Sequence, residues 1–168
     1  MNRGTVRRCK VFRLPTAHPA DVDGVLALIA SGTVAAADIY AIFGKTEGNG
    51  CVNDFTRAYA VTALQTALSG PLGCSPGEVG ERVAMVMSGG TEGGLSPHLL
   101  VFAAGDAPVG AIPERSLAIG TAFTRAFQPE EIGRMAQIEA TAEAVASAMA
   151  QAGIVLSLIH ISEPTRPY

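Results

Sequence analysis

A chain of 168 residues is long enough for one ordinary domain, or for a compact unit and the beginning of another. With 48% hydrophobic and 16% charged residues it is too apolar for intrinsic disorder. Its net charge of -3 comes without a basic stripe that could follow a phosphate backbone, so nucleic acid is not an expected partner.

The opening MNRGTVRRCK is basic, but Pro15, His18 and Pro19 interrupt the apolar run that a secretory signal needs. No stretch approaches the roughly 20 apolar residues of a membrane span, so no membrane partner is expected, and the sparse, widely spaced cysteines make a reducing cytoplasm the default expectation. Cys9 to Leu14 reads as a short strand. From His18 to Gly32 a helix is expected: Pro19 suits a first turn, Asp21 favours the positive end of the helix dipole, and Gly32 can close the far end. Val22, Val25, Leu26 and Ile29 repeat at helical spacing and give it one apolar face. Asp38 to Phe43 reads as a buried strand that stops at Gly44, followed by a helix from Asn53 or Asp54 to Leu68 with Gly70 as its stop.

Ser75-Pro76-Gly77-Glu78 has capping-box spacing, which predicts a short helix before a strand from Val83 to Met87. A turn-rich segment, Ser88 to Pro97, leads into a further strand, His98 to Ala103. This alternation predicts an α/β unit over residues 1–104, with helices packed against a sheet. Residues 105–113 read as a linker, holding two prolines and two glycines. The order then restarts over 114–154, with a strand from Ser116 to Phe123, a helix start at Pro129-Glu130-Glu131 and a long helix ended by Gly153. The strings HPADV and QPEEI, about 110 residues apart, suggest an internal repeat, although so common a pattern does not establish one. Residues 155–168 are set apart, because SLIHISEPTRPY resembles translated adapter sequence more than a protein segment. The three cysteines, Cys9, Cys51 and Cys74, are widely spaced and form no C-x-x-C pair, so they indicate neither a disulfide framework nor a zinc site.

Two stretches carry the candidate chemistry: GKTEGNGCVNDFTR, Gly44 to Arg57, and VMSGGTEGGLSPH, Val86 to His98. Each follows an expected buried strand and combines glycines with polar side chains, as loops that present a site do. Gly44-Lys45-Thr46 matches only the end of a phosphate-binding Walker A loop, since Ile39 stands where its first glycine belongs. Ser88 fails the G-x-S-x-G nucleophile pattern, since Val86 holds the first glycine position. There remain Ser88-Gly89-Gly90 and the cations Lys45 and Arg57. A lysine kept neutral beside a second cation in a desolvated pocket can take a serine proton, and glycines after the serine leave backbone N–H groups open to an oxyanion. Residue types alone leave the plainer reading open, a solvated lysine and a turn serine. Glu47, Asn49, Asn53 and Asp54 are expected to shape the loop or cap a helix, and Glu92 and His98 to hydrogen-bond within theirs.

Together with GTAFTRAFQPEEIGR, Gly120 to Arg134, these stretches resemble the ring-opening cyclic amidohydrolases, the family of cyanuric acid hydrolase and barbiturase. The likeness runs from Cys9 to Ile154. It implies an enzyme about twice this long, built from three α/β repeats around a pseudo-threefold axis, each giving a lysine, an arginine and a serine to one central pocket. Lys45, Arg57 and Ser88 match the first repeat's set, and Gly89 would add a backbone contact to a ring carbonyl. The implied reaction is hydrolytic opening of a planar cyclic imide, cyanuric acid to carboxybiuret or else barbiturate, by a serine that a lysine activates. The attacking serine is placed in the second repeat, so Ser88 is expected to bind rather than attack. No organic cofactor is implied, no metal is expected on these residues, and a structural divalent metal is expected only in the third repeat.

The resemblance also implies a homo-oligomer when full length. The chain stops near the end of the second repeat's first helix, so on its own it should be inactive. The rival from another class is a non-catalytic binding or scaffold module whose glycine loops are only tight turns.

Overall fold

Four strands form one mixed sheet in the computed structural model, which describes residues 7–90, 95–106 and 117–155. They are β1 (Arg7–Pro15), β2 (Ile39–Lys45), β3 (Ala84–Ser88) and β4 (His98–Asp106), in the order β1-β4-β2-β3. β4 runs antiparallel to both β1 and β2, whereas β3 is parallel to β2. A parallel pair needs a long crossover, and helices α2 (Thr56–Leu72) and α3 (Pro76–Arg82) supply it.

Helices cover one side of the sheet, as the sequence predicts. Val25 from α1 (Asp23–Ala30), Leu64 and Leu68 from α2 and Val79 from α3 join Ile42, Leu99, Val101 and Ala103 in a single core. Leu64 and Leu68 are almost fully buried one helical turn apart, and burying each such side chain contributes about 1.5–3 kcal/mol. Strand alternation sends the intervening residues to the other face. There Val11, Phe43 and Val86 are 46%, 42% and 59% exposed, and the rings of Phe43 and Phe102 meet at 5.0 Å.

The expected elements of this unit all form, with shifted boundaries. α1 starts at Asp23 rather than near Pro19, because the Asp21 carboxylate accepts the amides of Ala17 at 2.8 Å and Asp23 at 3.2 Å and folds the preceding residues into a turn. α2 runs on through Gly70 and Pro71 and ends instead at Gly73, whose φ of 62° gives the left-handed stop. The Ser75 capping box is present: Ser75 Oγ accepts the Glu78 amide at 3.3 Å, and the Glu78 carboxylate accepts the Ser75 amide at 2.9 Å. β4 continues through Asp106, so residues 105 and 106 lie in a strand; of the expected linker, 107–113 lies outside the described residues.

The chain divides into two compact units, Met1–Ile119 and Gly120–Tyr168. In the second, α4 (Met135–Ala152) ends at Gly153 with a φ of 67°, as expected. The helix itself begins at Met135, after a separate 3-10 turn at Pro129–Glu131. The strand expected from Ser116 to Phe123 does not appear: residues 117–128 form no ladder, and Ser116 lies outside the described residues. A strand is stable only when its backbone groups are paired, and no described segment of this unit pairs with it. Of the segment set apart beyond residue 154, only Val155 lies within the described residues.

Candidate active site

Lys45 and Ser88 are the last residues of β2 and β3, and the parallel register pairs them directly. Counting back by twos, both lie on the same face as Phe43 and Val86, at the end of the open side of the sheet. Lys45 Nζ donates to Ser88 Oγ at 3.2 Å and to the Gly89 carbonyl at 3.3 Å. Beside them Thr46 is buried, its amide donating to the Ser88 carbonyl at 2.9 Å. Gly89 and Gly90 are buried, and Gly90 has a φ of 78°, a backbone state that favours glycine.

Arg57 stands in the first turn of α2, where the helix dipole disfavours a cation. Two acceptors offset that. The Cys51 carbonyl receives Arg57 Nη2 at 2.8 Å, and Asp54 Oδ2 lies 3.8 Å from Arg57 Nε. Among the described residues Arg57 makes no hydrogen bond or ion pair with Lys45 or Ser88; the Asp54 carboxylate lies close both to Arg57 and to the backbone at Gly89.

Sequence reading gave Asp54 only a loop-shaping or capping role. That role is present, and the residue does more. Its enclosed carboxylate accepts the amides of Gly50 at 2.8 Å and Thr56 at 2.9 Å, together with the Thr56 hydroxyl. The Thr56 hydrogen bond, with the two amides and the Arg57 charge, holds this carboxyl below the usual aspartate range. Thr46, weighed in the sequence only as the end of a Walker A loop, and Thr56, not singled out there, lie with their hydroxyls 2.9 Å apart and join the Lys45 strand end to the α2 start. Asn49 and Asn53 brace the same loop through a 3.0 Å hydrogen bond. His98 Nδ1 lies 2.7 Å from the Ser96 carbonyl, the loop contact expected of it, while Glu92 lies outside the described residues. Cys9, Cys51 and Cys74 are free thiols, and no cluster of three metal-ligating side chains occurs among the described residues. A shallow cleft of about 260 Å3 between Phe123–Arg125 and α4 belongs to the second unit and contains none of the candidate site residues.

A lysine amine against a serine hydroxyl, glycines after that serine and an anchored arginine nearby form an arrangement suited to binding and activating a carbonyl compound. The family described as "Amidohydrolase ring-opening protein" matches residues 10–161, and the chain belongs to that family. It is 57% identical over 147 residues to a cyanuric acid amidohydrolase of Bradyrhizobium diazoefficiens, covering 86% of this chain and 40% of the relative. It is 49% identical over 150 residues to a cyanuric acid amidohydrolase of Enterobacter cloacae, covering 88% and 40%. A solved cyanuric acid hydrolase, described as an "evolutionary innovation by structural concatenation", superposes with a TM-score of 0.81 at 55% identity, over 89% of this chain and 41% of that one. The chain thus spans about two fifths of the length of these relatives.

Proposed function

We propose that this chain supplies one third of the active site of an enzyme that opens a cyclic amide ring by hydrolysis, with cyanuric acid as substrate and carboxybiuret as product. The 3.2 Å contact between Lys45 Nζ and Ser88 Oγ carries the reading, and the names of the relatives supply the substrate class. The first of three repeats runs through the end of β4 at Asp106, a connection follows, and the second repeat begins over 114–154.

In the reaction, a serine hydroxyl attacks a ring carbonyl while a neutral lysine amine takes its proton. The tetrahedral oxyanion collapses, the ring C–N bond breaks and the leaving nitrogen takes up the proton. Water then releases the opened product from the serine ester. Ser88 binds rather than attacks. With Lys45 donating to its oxygen, the Ser88 hydroxyl hydrogen is left to donate to a ring carbonyl, while a serine of the second repeat is the nucleophile. Arg57 offers a planar pair of N–H donors to a flat, weakly acidic ring, and the Gly89 backbone contacts a ring carbonyl. Lysine and serine perform this chemistry without an organic cofactor, and a structural divalent metal belongs to the third repeat. No described helix is long and apolar enough to cross a membrane; a cytoplasmic homo-oligomer is the form we expect of the complete enzyme.

The test is a graft in which Lys10 to Ile154 replace the matching segment of the Bradyrhizobium diazoefficiens relative. Loss of cyanuric acid at a rate near that of the parent supports the reading. An inactive but folded graft returns the chain to the scaffold alternative, and opening of barbiturate in preference to cyanuric acid moves it to the barbiturase branch.

A further inference from the structure

We propose that Asp54 is the positioning residue of this site, fixing the Arg57 guanidinium and the Ser88-Gly89 turn relative to each other; the proposal rests on the ring-opening reading above. Three observations converge on its carboxylate. It is fully enclosed although it belongs to a surface loop, and its two oxygens have separate duties. Oδ2 accepts the Gly50 amide at 2.8 Å and faces Arg57 Nε at 3.8 Å. Oδ1 accepts the Thr56 amide and hydroxyl, and that hydroxyl is 2.9 Å from the hydroxyl of Thr46, which in turn lies 3.2 Å from the Ser88 carbonyl.

The third observation concerns shape. Gly48 and Gly89 both press on the carboxylate so closely that neither can carry a side-chain carbon. Asp54 is therefore clamped between the loop that follows Lys45 and the turn that follows Ser88. One oxygen orients the arginine, and the other reaches the serine strand through two threonines. A helix cap alone would need only the Thr56 amide.

Asparagine is nearly the same size but has one acceptor oxygen and no charge. It can keep the Thr56 bonds only by giving up the Gly50 bond and the attraction to Arg57. In the active graft, Asp54→Asn should lower kcat/KM by about 10–100-fold, chiefly through KM, while the protein still melts cooperatively. Because Asn at this position keeps the Thr56 link to the serine strand and loses the hold on Arg57, Asp54→Asn combined with Arg57→Ala should be within about 3-fold of Arg57→Ala alone. Losses that multiply, or an Asp54→Asn graft as active as its parent, overturn the positioning role. An inactive unsubstituted graft overturns the ring-opening reading itself and the role with it.

Should Asp54→Asn fail to fold, nitrogen-15 NMR of the unsubstituted graft decides. An Arg57 Nε–H signal that is protected at neutral pH and shifts as Asp54 protonates supports the proposal. A signal matching freely solvated arginines overturns it.

Discussion

Gly89 rests against the Asp54 carboxylate with no space for a side-chain carbon, and such a carbon would also come within 2.9 Å of Gly50 Cα. Neither obstacle is the free end of a flexible chain: the carboxylate is held by three donors and Gly50 is backbone. Gly89→Ala should therefore cost about 1–3 kcal/mol of stability, the range for overpacking a filled site. Urea denaturation of the whole chain checks this, and an unchanged midpoint would contradict the clamp.

In the graft, Ser88→Ala should lower kcat/KM by roughly 10–100-fold, the loss of one hydrogen bond to a charged or polarised partner, and leave measurable kcat. Lys45→Met should cost more, since Lys45 holds both the Ser88 hydroxyl and the Gly89 carbonyl. Steady-state kinetics distinguish the roles. Abolition of all turnover by Ser88→Ala would make Ser88 the nucleophile.

Arg57→Ala should raise KM strongly, and Arg57→Lys should recover little of the loss. An ammonium cannot reach the Cys51 carbonyl and the Asp54 carboxylate while presenting a planar donor pair to a ring. Measured KM and kcat equal to those of the unsubstituted graft would remove Arg57 from the site.

In the second unit, Arg125 holds the Glu131 carboxylate from both sides, with Nη1–Oε2 and Nη2–Oε1 distances of 2.9 and 2.6 Å. That fork, with the Gln128 amide, pushes the Glu131 carboxyl down to about 2 from an ordinary 4.5. A carboxyl depressed on folding stabilises the native state fully above its ordinary value, and the contribution disappears as pH falls from about 4.5 to about 2. Glu131→Gln should thus be less stable than the parent at neutral pH, with the difference vanishing at the acid end of that window. Melting curves across pH check the sign, and a Glu131 side chain titrating near 4.5 by NMR would refute it.

Most of the first unit is legible in the sequence, because its elements are marked by local chemistry. The Ser75 box, the apolar strand cores and the Leu64/Leu68 spacing each act over a few residues and survive into the fold. Boundaries moved where one local signal overrode another, as where the Asp21 side chain ties the residues before α1 into a turn instead of entering the helix. Lys45 and Ser88 could be singled out by type, but their meeting depends on β2–β3 pairing across 43 residues, which spacing cannot reveal. The Asp54 hub was hidden for a similar reason. Its marks in the sequence, an Asn-Asp pair and a threonine two residues on, equally describe an ordinary helix cap.

Because one rung of the β2–β3 ladder holds both Lys45 and Ser88, the reach of one to the other is a matter of strand phase. Deleting a single residue from either strand would turn the amine or the hydroxyl through half a pleat, toward the helix-covered side, even if every hydrogen bond of the ladder re-formed. Length changes in this unit should accordingly be confined to its connections, with Ile39–Lys45 and Ala84–Ser88 intolerant of any shift in frame.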